Sequence, residues 1–267
     1  MKTTPEINTV RTDGFTMDYI RFGSGEKSLV ILPGISLKSV IGSADGIANA
    51  FRAFTKDYTV TVFDRVRDIP EGYTVADMAD DTAQAMKRLG LSGVHIFGAS
   101  QGGMIVQYLL TRSPERIARA VICSACTGCE ENMTALLTHW AQLAENGNVR
   151  ELNRSFAENV YSESMGRQYV SFTESGMFSV TPEELIRFAR MTRACIAPEM
   201  RGEIRRANVP VLVIGDEKDK IMTGDAARNT AALLGAELFM YDGYSHAVYD
   251  EAPDFRKRMA GFFAREM

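Results

Sequence analysis

Gly98-Ala99-Ser100-Gln101-Gly102 fits the pattern G-x-S-x-G, and the residues flanking it decide how it reads. Upstream, Gly93-Val94-His95-Ile96-Phe97 is a short run with β-branched and aromatic residues, which predicts a buried strand. Downstream, Gly103-Met104-Ile105-Val106-Gln107-Tyr108-Leu109-Leu110 is largely apolar and free of proline, which predicts a helix packed against a sheet. Ser100 then occupies a sharp strand-to-helix turn. Such a turn strains the backbone of the serine, and side chains two residues before and after it would collide with the adjoining strand and helix. Glycine at 98 and 102 removes both collisions. Held this way, Ser100 Oγ points out of the end of the sheet, and the Gln101 amide faces an anion site at the helix N-terminus.

Working outward, residues 17–22 alternate, Gly23-Ser24-Gly25-Glu26 turns the chain, and Ser28-Leu29-Val30-Ile31-Leu32 follows, which together predict a hairpin. Pro33-Gly34-Ile35-Ser36 leads into a helix-like stretch ending near Thr55. The strand Tyr58–Phe63 then stops at Asp64. Thr74 caps a helix with its inward stripe at Val75, Met78, Ala79, Thr82, Met86 and Leu89, closed by Gly90. Ile117-Ala118-Arg119-Ala120-Val121-Ile122-Cys123 is another strand.

Strands alternating with helices of this length predict a mostly parallel sheet covered on both faces. The alternation stops between about Thr127 and Arg206, where the pattern is helical. Thr181-Pro182-Glu183-Glu184 there is a capping box with proline at the first helical position. It resumes with Pro210–Gly215, a helix near 224–234, the strand Glu237–Tyr241 and a terminal helix from Pro253. The expected organisation is an α/β core in two parts, 1–126 and 207–267, with residues 127–206 as a helical lid near the catalytic end of the sheet.

Length and charge exclude other classes. The 267 residues suffice for one large core, and basic residues are scattered at a formal net charge of −4, with no nucleic-acid footprint. The first residues lack the apolar core of a signal peptide and no run reaches membrane-spanning length, so a cytoplasmic protein with reduced thiols is expected. Cys123, Cys126 and Cys129 are spaced like metal ligands, but no fourth ligand follows and Cys123 lies inside a strand; no metal is expected. Gly25-Glu26-Lys27-Ser28 has the wrong spacing for a phosphate loop and precedes a strand rather than a helix.

A serine needs a base, and the base needs an orienting group. Of the three histidines, His95 lies mid-strand and reads as a core residue, and His139 lies beside Trp140 in the expected lid. His246 follows the last strand in Tyr244-Ser245-His246-Ala247, where a loop can place it over the sheet end, and is the candidate base. The acid is expected after the strand Val209–Gly215, in Asp216-Glu217-Lys218-Asp219-Lys220. Asp219 is favoured over Asp216 because it lies further from the strand edge, leaving Asp216 as a residue of a solvated loop.

The order Ser100, Asp219, His246 on such an alternation resembles the α/β-hydrolase superfamily, in particular its small lid-bearing esterases, carbon–carbon bond hydrolases and cofactor-free peroxidases. The likeness covers nearly the whole chain. It is most specific at Gly98–Gly103, at Val209–Gly215 leading to Asp219, and at Gly243-Tyr244-Ser245-His246-Ala247 with Glu251-Ala252-Pro253. It implies a sheet of about eight strands, Asp219 as the triad acid, and no cofactor. In that family the loop after the third strand usually reads His-Gly and gives an oxyanion amide from the next residue. Here it reads Pro33-Gly34, which makes Ile35 N–H the matching donor, partnered by Gln101 N–H. The family's Asp-x-x-Gly-x-Gly-x-Ser run is replaced by Asp64-Arg65-Val66-Arg67-Asp68-Ile69-Pro70, without its glycines.

The expected activity is hydrolysis of a small or medium ester or related acyl compound by a carboxylesterase-like monomer or homodimer. The alternatives are an acyltransferase, lyase or cofactor-free peroxidase using the same residues, or a ligand sensor on the same fold. Gly34, Trp140 and His139 are candidate substrate contacts. Met133, Leu136, Leu137, Met165, Phe172, Met177, Phe178, Phe188 and Met191 join Trp140 as candidates for an apolar wall, and one of the arginines between 150 and 193 is a candidate grip for a substrate carboxylate.

Overall fold

Alternation along the strands sends apolar side chains to two separate cores: Val30 and Leu32 pack into one, Leu29 and Ile31 into the other. The computed structural model describes residues 4–196 and 200–265; residues 1–3, 197–199 and 266–267, parts of the three expected segments, lie outside the described residues. The strands are β1 (Glu6–Arg11), β2 (Thr16–Phe22), β3 (Lys27–Leu32), β4 (Tyr58–Val66), β5 (Val94–Ala99), β6 (Ile117–Cys123), β7 (Val211–Asp216) and β8 (Glu237–Tyr241). They form one sheet in the order β1-β2-β4-β3-β5-β6-β7-β8. The β1–β2 and β2–β4 pairs are antiparallel and every other pair is parallel.

The expected hairpin of residues 17–32 does not form. β2 pairs with β1 and β4, while β3 lies between β4 and β5. Leu29 to Leu32 are buried on both faces, which demands a central position that a local hairpin cannot supply. The linking residues are held instead by the turn before β4, through Ser24 N–H to the Thr55 carbonyl and Lys27 N–H to that of Asp57. β4 also continues past Asp64 to Val66, because Asp64 and Arg65 are buried with partners rather than exposed at a strand end.

The core helices are α1 (Ala44–Ala50), α2 (Val75–Arg88), α3 (Gln101–Arg112), α9 (Gly224–Leu234), α10 (Val248–Glu251) and α11 (Phe255–Phe263). α2, α3 and α9 cover one face; α1 and α11 cover the other. Between β6 and β7 lie α4 (Glu131–Glu145), α5 (Val149–Val160), α6 (Glu163–Glu174), α7 (Pro182–Ala194) and α8 (Met200–Glu203). The capping box of α7 is formed: Thr181 Oγ1 accepts from Glu184 N–H at 3.2 Å, and a Glu184 carboxylate oxygen accepts from Thr181 N–H at 2.8 Å.

Candidate active site

Ser100 links β5 to α3 with φ +52° and ψ −122°, a conformation L-residues rarely adopt. Its own N–H bonds the Cys123 carbonyl of β6 at 2.9 Å, fixing the turn to the neighbouring strand. A Cβ on Gly98 would come within 2.4 Å of the Gly102 carbonyl oxygen, and one on Gly102 within 1.8 Å of the Leu32 carbonyl oxygen. Both glycines are therefore demanded by close backbone approach, of helix to strand in one case and of helix to the end of β3 in the other. Ser100 is the N-cap of α3, so the Gln101 amide is among the N–H groups left without an intrahelical partner, at the positive end of the helix dipole.

His246 arrives on the loop after β8. Its Nδ1 lies 2.9 and 3.1 Å from the two carboxylate oxygens of Asp219, and both side chains are almost fully buried. Asp219 is itself oriented, since Oδ1 also accepts from Ile221 N–H at 2.8 Å and Met222 N–H at 2.9 Å. The His246 backbone is tied down too, as its carbonyl accepts from Ser124 Oγ at 2.7 Å and Ala247 N–H bonds the Val160 carbonyl at 2.8 Å. The carboxylate thus holds one ring nitrogen and leaves Nε2 for other work.

Asp216 is not the solvated loop residue expected. It is completely buried. Its carboxylate accepts from Lys218 N–H at 2.8 Å, Gly243 N–H at 3.1 Å and Tyr244 N–H at 2.9 Å. It ties the end of β7 to the loop that carries His246, because a buried carboxylate must be matched by donors and three amides are there to match it.

Ser100 and His246 face one cavity of about 20 Å³, room for one water, whose remaining walls are Gly34, Ile35, Leu137, Trp140, Phe156, Val160, Cys195, Ile221, Met222 and Tyr249. Gly34 and Trp140 line it. His139 does not, because it is exposed on the outer face of α4, one residue from the inward Trp140. Of the expected apolar wall only Leu137 and Trp140 line the cavity. Met177 is 76% exposed and Phe172 48%, while Phe188 and Met191 are buried in packing. Phe156, Val160, Ile221, Met222 and Tyr249 take their place; they carry no motif, and only the tertiary approach of α5 and the Asp219 loop brings them in. Burial pushes the Cys195 thiol up to about 12 and the Tyr249 phenol well above its usual value, so both face the cavity uncharged at neutral pH.

None of the arginines of the insertion reaches the cavity. Arg187 pairs with Asp64 at 2.9 Å, Arg190 bonds the Ile69 carbonyl at 2.5 Å, and Arg193 pairs with Glu145 at 2.7 Å. His95 is half-buried on β5 rather than a core residue, with Tyr58 Oη 2.9 Å from Nδ1 and Phe263 stacked on the ring at 4.7 Å. The described residues hold no cluster of His, Cys, Asp or Glu suited to a metal ion.

A family model described as the α/β hydrolase fold matches residues 27–253. The chain belongs to this family. Within it, a protein of Mycobacterium phage D29 named as a non-heme haloperoxidase is 26% identical over 88% of this chain and 86% of its own length. Two solved structures share the fold. An α/β-hydrolase enzyme from a Medee basin deep-sea metagenome library has a TM-score of 0.83 at 22% identity, covering 97% of this chain and 98% of its own. The enol-lactonase from Burkholderia xenovorans LB400 has a TM-score of 0.81 at 19% identity, covering 97% of this chain and 100% of its own. No helix among the described residues is long and apolar enough to cross a membrane.

Proposed function

We propose that this α/β-hydrolase is a serine hydrolase that cleaves a small, uncharged ester or related acyl compound through an acyl-enzyme on Ser100. The observation that carries this reading is the shared cavity of Ser100, on its strained turn, and His246, whose other ring nitrogen is held by buried Asp219. Ser100 Oγ adds to the acyl carbon while His246 Nε2 takes its proton. The same proton passes to the leaving alkoxide as the ester C–O bond breaks. Water, deprotonated by His246, then releases the acyl group as a carboxylic acid. Asp219 keeps the imidazole in the tautomer with Nδ1 protonated and stabilises its cation. The amides of Ile35 and Gln101 are the donors for the oxyanion, and the helical insertion α4–α8 serves as the lid.

The walls support an uncharged, compact acyl group, since Cys195 and Tyr249 stay uncharged, the other lining side chains beside the Ser100–His246 pair are apolar, and the space is small. One structural neighbour, the enol-lactonase, fits this reading, since a lactone is a cyclic ester.

A fluorophosphonate probe should label Ser100 alone, read by intact mass and peptide mapping, and Ser100→Ala should abolish both labelling and turnover of short-chain esters. Labelling that persists in Ser100→Ala, or activity lost to a chelator and restored by metal, would overturn the reading. Hydrogen peroxide supplied with a short carboxylic acid, in place of an ester, distinguishes a perhydrolase.

A further inference from the structure

Arg65 is the residue that the hydrolase reading leaves unused. It directly follows Asp64, in the stretch that replaces the family's glycine run, and it is only 5% exposed. Burial lowers its pKa only to about 10, so the guanidinium stays charged at neutral pH. Its Nη2 donates to the Pro33 carbonyl at 2.6 Å, and its Nε donates to Gln101 Oε1 at 3.1 Å. Pro33 lies two residues before Ile35, and Gln101 directly follows Ser100. One planar group thus grips both segments that carry the proposed oxyanion amides, and its fork fixes their relative position as a single-point donor would not.

The far side of the same network reaches the insertion. Gln101 Nε2 donates to the Met191 carbonyl of α7 at 2.8 Å and to Cys195 Sγ at 3.2 Å. Asp64 accepts from Arg65 N–H at 2.7 Å, from Arg187 of α7 at 2.9 Å and from Ser39 Oγ at 2.6 Å. The chain from Pro33 to Met191 is therefore continuous, part-buried at Pro33 and buried from Arg65 through Gln101 to Met191, where each hydrogen bond counts for more than at the surface.

We propose that Arg65 is a positioning residue: it sets the spacing of the Ile35 and Gln101 amides and ties that spacing to the docked position of α7. This rests on the hydrolase reading for its catalytic consequence, but not for the geometry it asserts. Arg65 touches no reacting atom, so it acts on the transition state only through the placement of the two amides. An error of about an ångström in such placement is worth up to ~10²-fold in rate.

The test is Arg65→Met, assayed by ester kinetics and by amide hydrogen exchange. The expected result is a kcat lower by ~10-fold or more with KM within a few fold, together with faster exchange at the Ile35, Ser36 and Leu37 amides and in α7. An unchanged kcat, or unchanged exchange at Ile35 to Leu37, overturns the proposal, and a lowered melting temperature alone counts as the former. If Arg65→Met fails to fold, Gln101→Met carries the same test, because it keeps the Gln101 amide while cutting the link to Arg65 and Met191. Absence of Ser100-dependent turnover in the wild type retires the hydrolase reading instead, and exchange at Ile35 then decides the positioning claim by itself.

Discussion

Asp216 and Asp219 stand three residues apart and hold different things, so their amides should fail differently. Asp219→Asn keeps the size of the side chain but favours the wrong imidazole tautomer at His246 and removes stabilisation of its cation. A loss of at least ~10²-fold in turnover is expected in a protein that stays folded. Asp216→Asn leaves one acceptor oxygen where a carboxylate served the amides of Lys218, Gly243 and Tyr244. Hydrogen bonds to a charged partner contribute about 1.5–3 kcal/mol each. Its unfolding free energy in urea should therefore fall by on the order of 2 kcal/mol, with activity following the displacement of the His246 loop. Equal unfolding midpoints for Asp216→Asn and wild type would mean the carboxylate does not fasten that loop. His246→Ala should remove nearly all turnover of short-chain esters.

At the scale of the element, β5 carries a titrating group of its own. Burial, helped by the charges of Arg119 and Lys27, pushes His95 down from 6.5 to about 4. Between these values the unfolded chain binds a proton that the folded chain refuses, so stability is full above about pH 6.5 and declines as pH falls toward 4. His95→Phe should flatten the fall in melting temperature over that window, although it loses the bond to Tyr58. An unaltered slope would assign the acid sensitivity elsewhere. The elements also differ in how far the sequence discloses them. The Thr74 cap of α2 and the capping box of α7 are legible because their partners lie within four residues, and the turn at Ser100 because its two glycines stand two residues to either side of it. The hairpin reading of β2 and β3 fails because β4, inserted between them, comes from residues 58–66, and local alternation carries no record of which strand is a neighbour. β1 escapes notice because it is an edge strand with only Val10 buried. The nucleophile, base and acid positions could be proposed from order and spacing. The walls could not, since α5 contributes Phe156 and Val160 only after it folds across the sheet end, and Arg65 reads as a surface charge until its partners close over it.

Taken as a whole molecule, the chain surrounds Ser100 with few places for substrate to extend. Leu137 is the wall position that can be shortened with least disturbance to the polar network. Leu137→Ala should raise kcat/KM for a butyryl relative to an acetyl ester by roughly tenfold, as expected of methylene discrimination in an apolar pocket, and cost about 2–5 kcal/mol of stability. An unchanged chain-length preference would place the acyl group elsewhere. The insertion that supplies this wall also separates β6 from β7, its partner in the sheet. During synthesis, β6 must wait with an open apolar edge until residues 211–216 emerge. At ~5–20 residues per second that interval lasts several seconds, long compared with helix formation and collapse. A fragment ending at Ala125 would present that edge permanently and should aggregate, whereas supplying residues 207–267 in trans should rescue it. The same insertion that walls the cavity at Ser100 thus exposes the nascent chain to misassembly, and the sheet is completed only by its last-made strands.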